Sequence, residues 1–451
     1  MFQNSTCDTN ISDADDVYIK TKKVYLKRYN MKSQIEDKFR WYVLIAMLYF
    51  IYVLLMHKWG HQGDMTFWMN WSKYIFTHGI THIYEVENCN YLPAYLYVLW
   101  LHTHIQGNLQ DIGDNLYTIK YFTLLFDFGA AYFAVYFVPA MRDKIFYSFV
   151  LLLNAAFIYN TAFWGQVDAI YTCFGFVALI MAIKNRTVIS IICLALALNF
   201  KLQALVFVPI ITMILCFHLL QHKTYKKILF GVLCAIVLQI FILLPFILHH
   251  QLPKIIAVIT DAVGFYNFPT LGAFNFWSLM LPNVSIEGMY QISDNVKFGF
   301  LTYHQIGLLL FFVLSFAALF PFLHFMYKQS FITQDIQFPI KYIFLITALC
   351  SINFYFFNTQ MHERYVHPAI VLIATYSFMS KRYGIFLILS IAYFLNLERI
   401  CWYLHLHNET YLNGLLFKPR LIAVLYLFVI LQSYYYLYFD KSKQETDISL
   451  A

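Results

Sequence analysis

The sequence predicts an all-α polytopic membrane protein, on three observations. Of 451 residues, 61% are hydrophobic and 12% charged, against about 25% charged in an ordinary soluble domain. Mean hydropathy is +0.60, and the apolar residues gather in runs near the ~20 residues that span a bilayer. Basic residues recur in every second connection, the pattern that marks loops on the inner side. The 46 Phe and 36 Tyr read mostly as lipid-facing rings and interfacial belts.

Taken in order, residues 1–40 form a polar, basic N-terminal segment. Between Lys20 and Arg40 there are eight basic residues and two acidic ones. A basic run beside a first span is the usual sign of a cytoplasmic side and speaks against a nucleic-acid partner. Trp41 to Met56 reads as an uncleaved anchor. The predicted spans are 41–57, 119–138, 146–162, 169–183, 188–200, 203–219, 228–248, 302–327, 342–357, 366–379, 384–397 and 421–438. With the N-terminus inside, the inner loops carry Arg142 and Lys144, Lys184 and Arg186, Lys223, Lys226 and Lys227, Lys328 and Lys341, Lys381 and Arg382, then Lys441 and Lys443. That alternation holds only if 93–106 does not cross. Its apolar part, Pro93 to Leu101, is too short to span and runs into His102, His104 and Gln106. It reads as an external interfacial helix with Pro93 in its first turn.

The result is about twelve spans in one domain, 41–439, with both termini cytoplasmic and a short tail at 440–451. Its first external loop, 58–117, carries Asp64, and a second long one covers 249–301. Cys173, Cys193, Cys216, Cys234 and Cys350 lie inside apolar runs, where a thiol behaves as a small hydrophobe. Cys89 and Cys401 fall in predicted external loops and could pair.

Several polar sequences fall together on the external side. Asp64 follows Gly63 within a run containing Trp59, Phe67, Trp68 and Trp71. Rings that shield a carboxylate from water raise its pKa and improve it as a general base. A surface Asp capping a short helix is the structural alternative. Lys201 interrupts the apolar run Val188–Ile214, so the turn around it should lie below the membrane surface and the charge should face a cavity or partner. His362-Glu363-Arg364-Tyr365 places an Arg fork at the head of a span, and its planar donors match two phosphate oxygens at once. A Glu363–Arg364 pair that only shapes the loop is the other reading. His362, Glu363 and His367 lack the HExxH spacing of a helical zinc site, and no metal is expected. Asp168 with Gln166 adds a carboxylate suited to sugar hydroxyls or to orienting a cation. Lys120 and Asp127 lie seven positions apart on one predicted helix and suggest an intramembrane ion pair.

Together these pieces resemble the bacterial mannosyltransferase-like membrane proteins related to GPI mannosyltransferase II, in the GT-C glycosyltransferase superfamily. The matching residues are Gly63-Asp64, Asn90-Tyr91-x-Pro93, Lys120 and Asp127, Trp164-Gly165-Gln166 with Asp168, Lys201-x-Gln203, Asn275-x-Trp277 and His362-Glu363-Arg364-Tyr365. They spread over residues 60–367. Leu92 stands where the family usually shows a further proline, and Leu271-Gly272-Ala273 where a Ser or Asn is expected. The resemblance implies a GT-C-type bundle in a bacterial inner membrane. It implies an inverting transfer of a mannose-like hexose from a polyprenyl-phosphate donor to a lipid- or glycan-linked acceptor, without a cofactor. On it, Asp64 is the base, while Lys201, Gln203, His362, Glu363, Arg364, Tyr91, Gln166, Asp168, Asn275 and Trp277 bind donor phosphate or substrate.

Two other readings share these features. A flippase or transporter of a lipid-linked sugar would place polar residues near the membrane midplane on broken helices. A glycan polymerase or ligase would use the same external face.

Overall fold

In the computed structural model the chain is almost wholly helical. The structure describes residues 35–261, 264, 266–281, 291–331, 337–406, 411–440 and 449–450. Most of the basic N-terminal segment, Lys441 and Lys443 lie outside the described residues.

The helices are α1 (Ile35–Leu55), α2 (Gln62–His78), α3 (Pro93–Gln106), α4 (Leu109–Asp114), α5 (Ile119–Ala134), α6 (Met141–Leu152), α7 (Ala155–Ile158), α8 (Asp168–Ile183), α9 (Thr187–Phe200) and α10 (Val208–His222). Then come α11 (Tyr225–Leu248), α12 (Leu252–Thr260), α13 (Phe276–Met280), α14 (Tyr303–Phe331), α15 (Ile340–Phe357), α16 (His367–Ser380), α17 (Tyr383–Cys401), α18 (Tyr411–Leu416) and α19 (Pro419–Phe439). Two small antiparallel pairs accompany them, Lys297–Phe298 with Leu301–Thr302, and Phe338–Pro339 with Ser449–Leu450.

The predicted spans fall on helical segments, 146–162 on a bent pair and 203–219 partly on a 3-10 turn. Among the described residues, seven helices are long and apolar enough to cross a membrane: α1, α10 with the turn before it, α11, α14, α15, α17 and α19. An eighth arises if the bent pair of α6 with Ala155–Trp164 is one span, broken by 57°. The bend is local chemistry: Leu153 ends α6, and the Asn154 side chain accepts from Phe157 N at 3.1 Å to start α7. Helices α8, α9 and α16 are apolar but short. The molecule is therefore a multi-pass membrane protein.

Burial sorts the helices into layers. In its most apolar stretch α15 is 89% buried, and α11 only 6%. A helix apolar on all sides belongs either in a core or in lipid. Accordingly, α8, α15 and α16 form the centre, while α1, α11 and α14 turn exposed Leu, Ile and Phe outward.

The two ends of the bundle carry different chemistry. At one end Arg382 pairs with Asp440 at 2.9 Å, Tyr342 donates to Asp440 O at 3.0 Å, and Tyr147 meets Tyr383 at 2.5 Å. Lys381 and Lys341 belong to this end. At the other, the C-terminal ends of α1, α9, α15 and α17 meet the start of α8 and the first loop, as the contacts below show.

The predicted interfacial helix is α3, with Pro93 at its start and Gly107 (φ +77°) closing it. Its 14 residues rise about 21 Å, short of a ~30 Å hydrocarbon core. It packs on α2 through Trp68 and Tyr95, rings 5.7 Å apart. Tyr97 on α3 donates at 3.0 Å to Ile242 O of α11, just before Pro245 in that helix. Cys89 and Cys401 are both free, buried thiols, so the disulfide considered from their positions is not formed.

Candidate active site

The break predicted at Lys201 is present. Helix α9 stops at Phe200, Lys201 is extended (φ −160°, ψ 133°), and a 3-10 turn, Leu202–Phe207, leads into α10. The Lys201 ammonium turns inward and hydrogen-bonds Asp168 Oδ1. Asp168 opens α8, where the helix N-terminus favours an anion. Its Oδ2 accepts from Asn160 Nδ2 at 3.2 Å and lies 3.8 Å from Arg364 Nε. One fully buried carboxylate thus joins the α9 break to the loop between α15 and α16.

Arg364 is the other centre. Its Nη1 contacts Glu363 Oε1 at 2.8 Å, and its guanidinium lies over the rings of Trp164 and Tyr365 at 5.9 and 5.7 Å. Its Nε–H is buried and has no hydrogen-bond partner among the described residues. Burial works against its charge, and the nearby carboxylates of Asp64, Glu363 and Asp168 outweigh burial and hold it protonated. Glu363 is held below its ordinary range: burial opposes this, and His362 and Arg364 outweigh burial. His362, 3.8 Å from Glu363, is pushed down by burial and by Arg364.

The loop 270–275 makes room for this pair. Gly272 (φ +88°) sits where a Cβ would come within 2.9 Å of Glu363 Oε2. Asn396 fixes the turn by donating to Gly272 O at 2.8 Å and accepting from Phe274 N at 3.0 Å.

Asp64 lies in the first turn of α2, beside this cluster. Its Oδ2 accepts from Trp164 Nε1 at 2.7 Å and is 3.0 Å from His61 Nδ1. The sequence reading expected shielding to raise its pKa. Burial does push that way, but Arg364, His61 and Trp164 outweigh it and hold the carboxyl well below the usual carboxylate range. Shielding comes from Trp164 rather than Phe67, which is exposed. Tyr91 donates to Gln166 Oε1 at 3.4 Å and packs on Trp71 at 5.5 Å. Gln166 is fully buried, and its Nε2 has no partner among the described residues.

The structure therefore brings together Asp64, Tyr91, Gln166, Asp168, Lys201, His362, Glu363 and Arg364 at one end of the bundle. Gln203 follows Lys201 on the 3-10 turn and is half-buried. Asn275 and Trp277 differ: their polar groups are committed to backbone. Asn275 caps α13 and donates to Tyr355 O at 3.2 Å, and Trp277 Nε1 donates to Phe357 O at 3.0 Å. They brace the end of α15 on which the cluster stands.

The expected Lys120–Asp127 ion pair is corrected. Seven helical residues separate the two Cα atoms by about 10 Å, and their side chains find other neighbours. Lys120 donates to the carbonyls of His57, Trp59 and Ala162. Asp127 lies 3.9 Å from His367 Nε2, deep in the core. His61, Trp164, Asn160 and His367 were not assigned roles from sequence. His61 could have been, standing one helical turn before Asp64.

No protein-family model matches the chain, and no curated protein sequence matches it.

Proposed function

We propose that this chain is an integral membrane glycosyltransferase of the GT-C type, with about 12 crossings, both termini cytoplasmic and its site on the external face of a bacterial inner membrane. The observation that carries the reading is the meeting of Asp64 with Arg364 and Lys201 at one end of a helical bundle. A carboxylate and two cations side by side can serve the two halves of one transfer. The donor is a mannose-like hexose on a polyprenyl phosphate, reached from the bilayer, and the acceptor is a hydroxyl on a lipid or glycan.

In the transfer the acceptor oxygen bonds the anomeric carbon from the face opposite the phosphate. The bond from that carbon to the phosphate oxygen breaks with its electron pair, which inverts the configuration. Asp64 receives the acceptor proton. The departing phosphate is stabilised by Arg364 through its unpartnered Nε–H, with Lys201 and His362 adding donors in a largely dry site. Two cations stand against the carboxylates of Asp64, Asp168 and Glu363, so part of the guanidinium's charge is already answered. This arrangement gives a reason for Asp64 to work only with donor in place. Without phosphate, Arg364 keeps Asp64 a weak base; an anion on Arg364 relieves that pull and makes Asp64 more basic.

The second reading, a carrier for a lipid-linked sugar, is favoured by one observation: Asp127 and His367, 3.9 Å apart, are both fully buried inside the bundle. The deciding experiment incubates purified protein with radiolabelled polyprenyl-phosphate sugars and an acceptor panel. Transfer of label to acceptor supports the enzyme. Movement of labelled lipid across proteoliposomes without transfer sinks it.

A further inference from the structure

We infer that Lys120 is a positioning residue that clamps the Asp64 loop to the broken helix carrying Trp164, and so sets where the Asp64 carboxylate stands. The inference deepens the proposed function, because it says what aims the base.

The observation is a buried ammonium whose hydrogen-bond partners among the described residues are all backbone carbonyls. Lys120 is 1% exposed, in the first turn of α5. Its Nζ donates to His57 O at 3.2 Å, to Ala162 O at 3.0 Å and to Trp59 O. Among the described residues no carboxylate lies within salt-bridge distance of it. A buried cation is costly unless it is fully hydrogen-bonded. Here three donors meet three carbonyls, the whole donor capacity of an ammonium.

Those carbonyls belong to two separate segments. His57 and Trp59 lie between α1 and α2, seven and five residues before Asp64. Ala162 lies in the π-helical turn Tyr159–Trp164 that ends in the Asp64 hydrogen-bond donor. A π turn leaves carbonyls without their usual helical partners, and Lys120 answers one of them. A second tie runs parallel, His61 N to Trp164 O at 2.9 Å. Gly165 (φ +89°) lets the segments close up, since a Cβ there would lie 3.2 Å from both Lys120 Cε and Met65 Sδ. The indole of Trp164 then reaches Asp64 at 2.7 Å. Ammonium, loop, π turn, indole and carboxylate form one continuous support.

Lys120→Met keeps the length and removes every donor. The expected result is a folded protein in which backbone amides of residues 57–64 exchange hydrogen faster, while those of α15 and α16 do not change. Turnover should fall about 10²-fold, the scale of an ångström's misplacement of a catalytic group, and KM for the polyprenyl-phosphate sugar should stay within about threefold, since the phosphate contacts lie elsewhere. Ethylammonium added to Lys120→Ala should slow the exchange and restore part of the turnover, a rescue that a lost packing contact would not show. Should Lys120→Met fail to fold, Lys120→Gln, which keeps one N–H pair, is measured in the same way. Unchanged exchange over 57–64 in a folded variant overturns the clamp. If wild-type protein turns over no lipid-phosphate sugar, the glycosyltransferase reading falls while the exchange measurement still decides the clamp.

Discussion

Trp164 Nε1 donates a 2.7 Å hydrogen bond to Asp64 Oδ2 across 100 residues of chain. It is one of the links between the segment that follows α1 and the end of the broken helix. The indole is 1% exposed, and its other face carries the Arg364 guanidinium at 5.9 Å. One side chain therefore touches both the proposed base and the proposed phosphate ligand.

Asp64→Asn should abolish base catalysis and leave the fold intact. The amide oxygen can still accept from Trp164, so the local hydrogen bond survives. Turnover should fall about 10²–10⁴-fold with an unchanged melting temperature. Wild-type turnover by the folded variant would remove Asp64 from the mechanism.

Arg364→Lys should weaken donor use although the charge is kept, because the planar fork and its Nε–H are lost. Saturation curves for the polyprenyl-phosphate sugar, with Arg364→Ala beside it, measure this. Identical donor affinity in wild type and both variants would break the phosphate assignment.

The pH profile should move in a definite direction. Asp64 in the folded protein has its pKa depressed, chiefly by Arg364 acting against burial. The acid limb of kcat/KM should thus lie below the ordinary Asp value of about 3.9. Arg364→Gln removes the depressing charge, so Asp64 protonates at higher pH and the limb moves up. By the same linkage, Asp64 contributes stability that is full above its unfolded pKa and lost as pH falls through the folded one. A limb that stays put or moves down in Arg364→Gln contradicts the electrostatic coupling.

Lys201 and Asp168 should behave as a buried pair. Asp168 is fully buried and the Lys201 side chain is 11% exposed. Removing one partner leaves the other charge stranded, at a cost of about 3–5 kcal/mol, and replacing both restores much of it. Thermal unfolding in detergent of Lys201→Met, Asp168→Asn and the double variant gives the cycle. Additive losses would show that the two do not act as a unit.

A cysteine placed at Asn108, at the start of α4, should be labelled by an impermeant thiol reagent from the external side only. Labelling from the cytoplasmic side alone would invert the proposed topology and move the whole cluster to the inner face.

Much of this molecule was legible in residue order. Apolar runs located the membrane helices, because desolvating a backbone requires an internally hydrogen-bonded helix wherever the run falls. Lys201 announced a break because a charge there is costly in lipid. Pro93 marked the start of α3 by its backbone preference, and the polar His102, His104 and Gln106 marked its end. Legibility failed where a partner is distant in sequence. Lys120 and Asp127 share a helix, and seven-residue spacing suggested a pair, but each reaches a neighbour on another segment. Asn275 and Trp277 carried the right residue types for a binding role, yet their polar atoms are spent on carbonyls at the end of α15.

By itself the sequence determined that this chain is helical and membrane-embedded, and which polar residues interrupt its apolar runs, since these depend on local composition and on the bilayer's demand for satisfied backbone groups. Only the tertiary structure decided that Asp64 meets Trp164, that Asp168 joins Lys201 to Arg364, and that Asp64 is held acidic rather than basic. Those outcomes depend on distances between charges, and an electrostatic interaction falls off with separation in space, which position along the chain does not reveal.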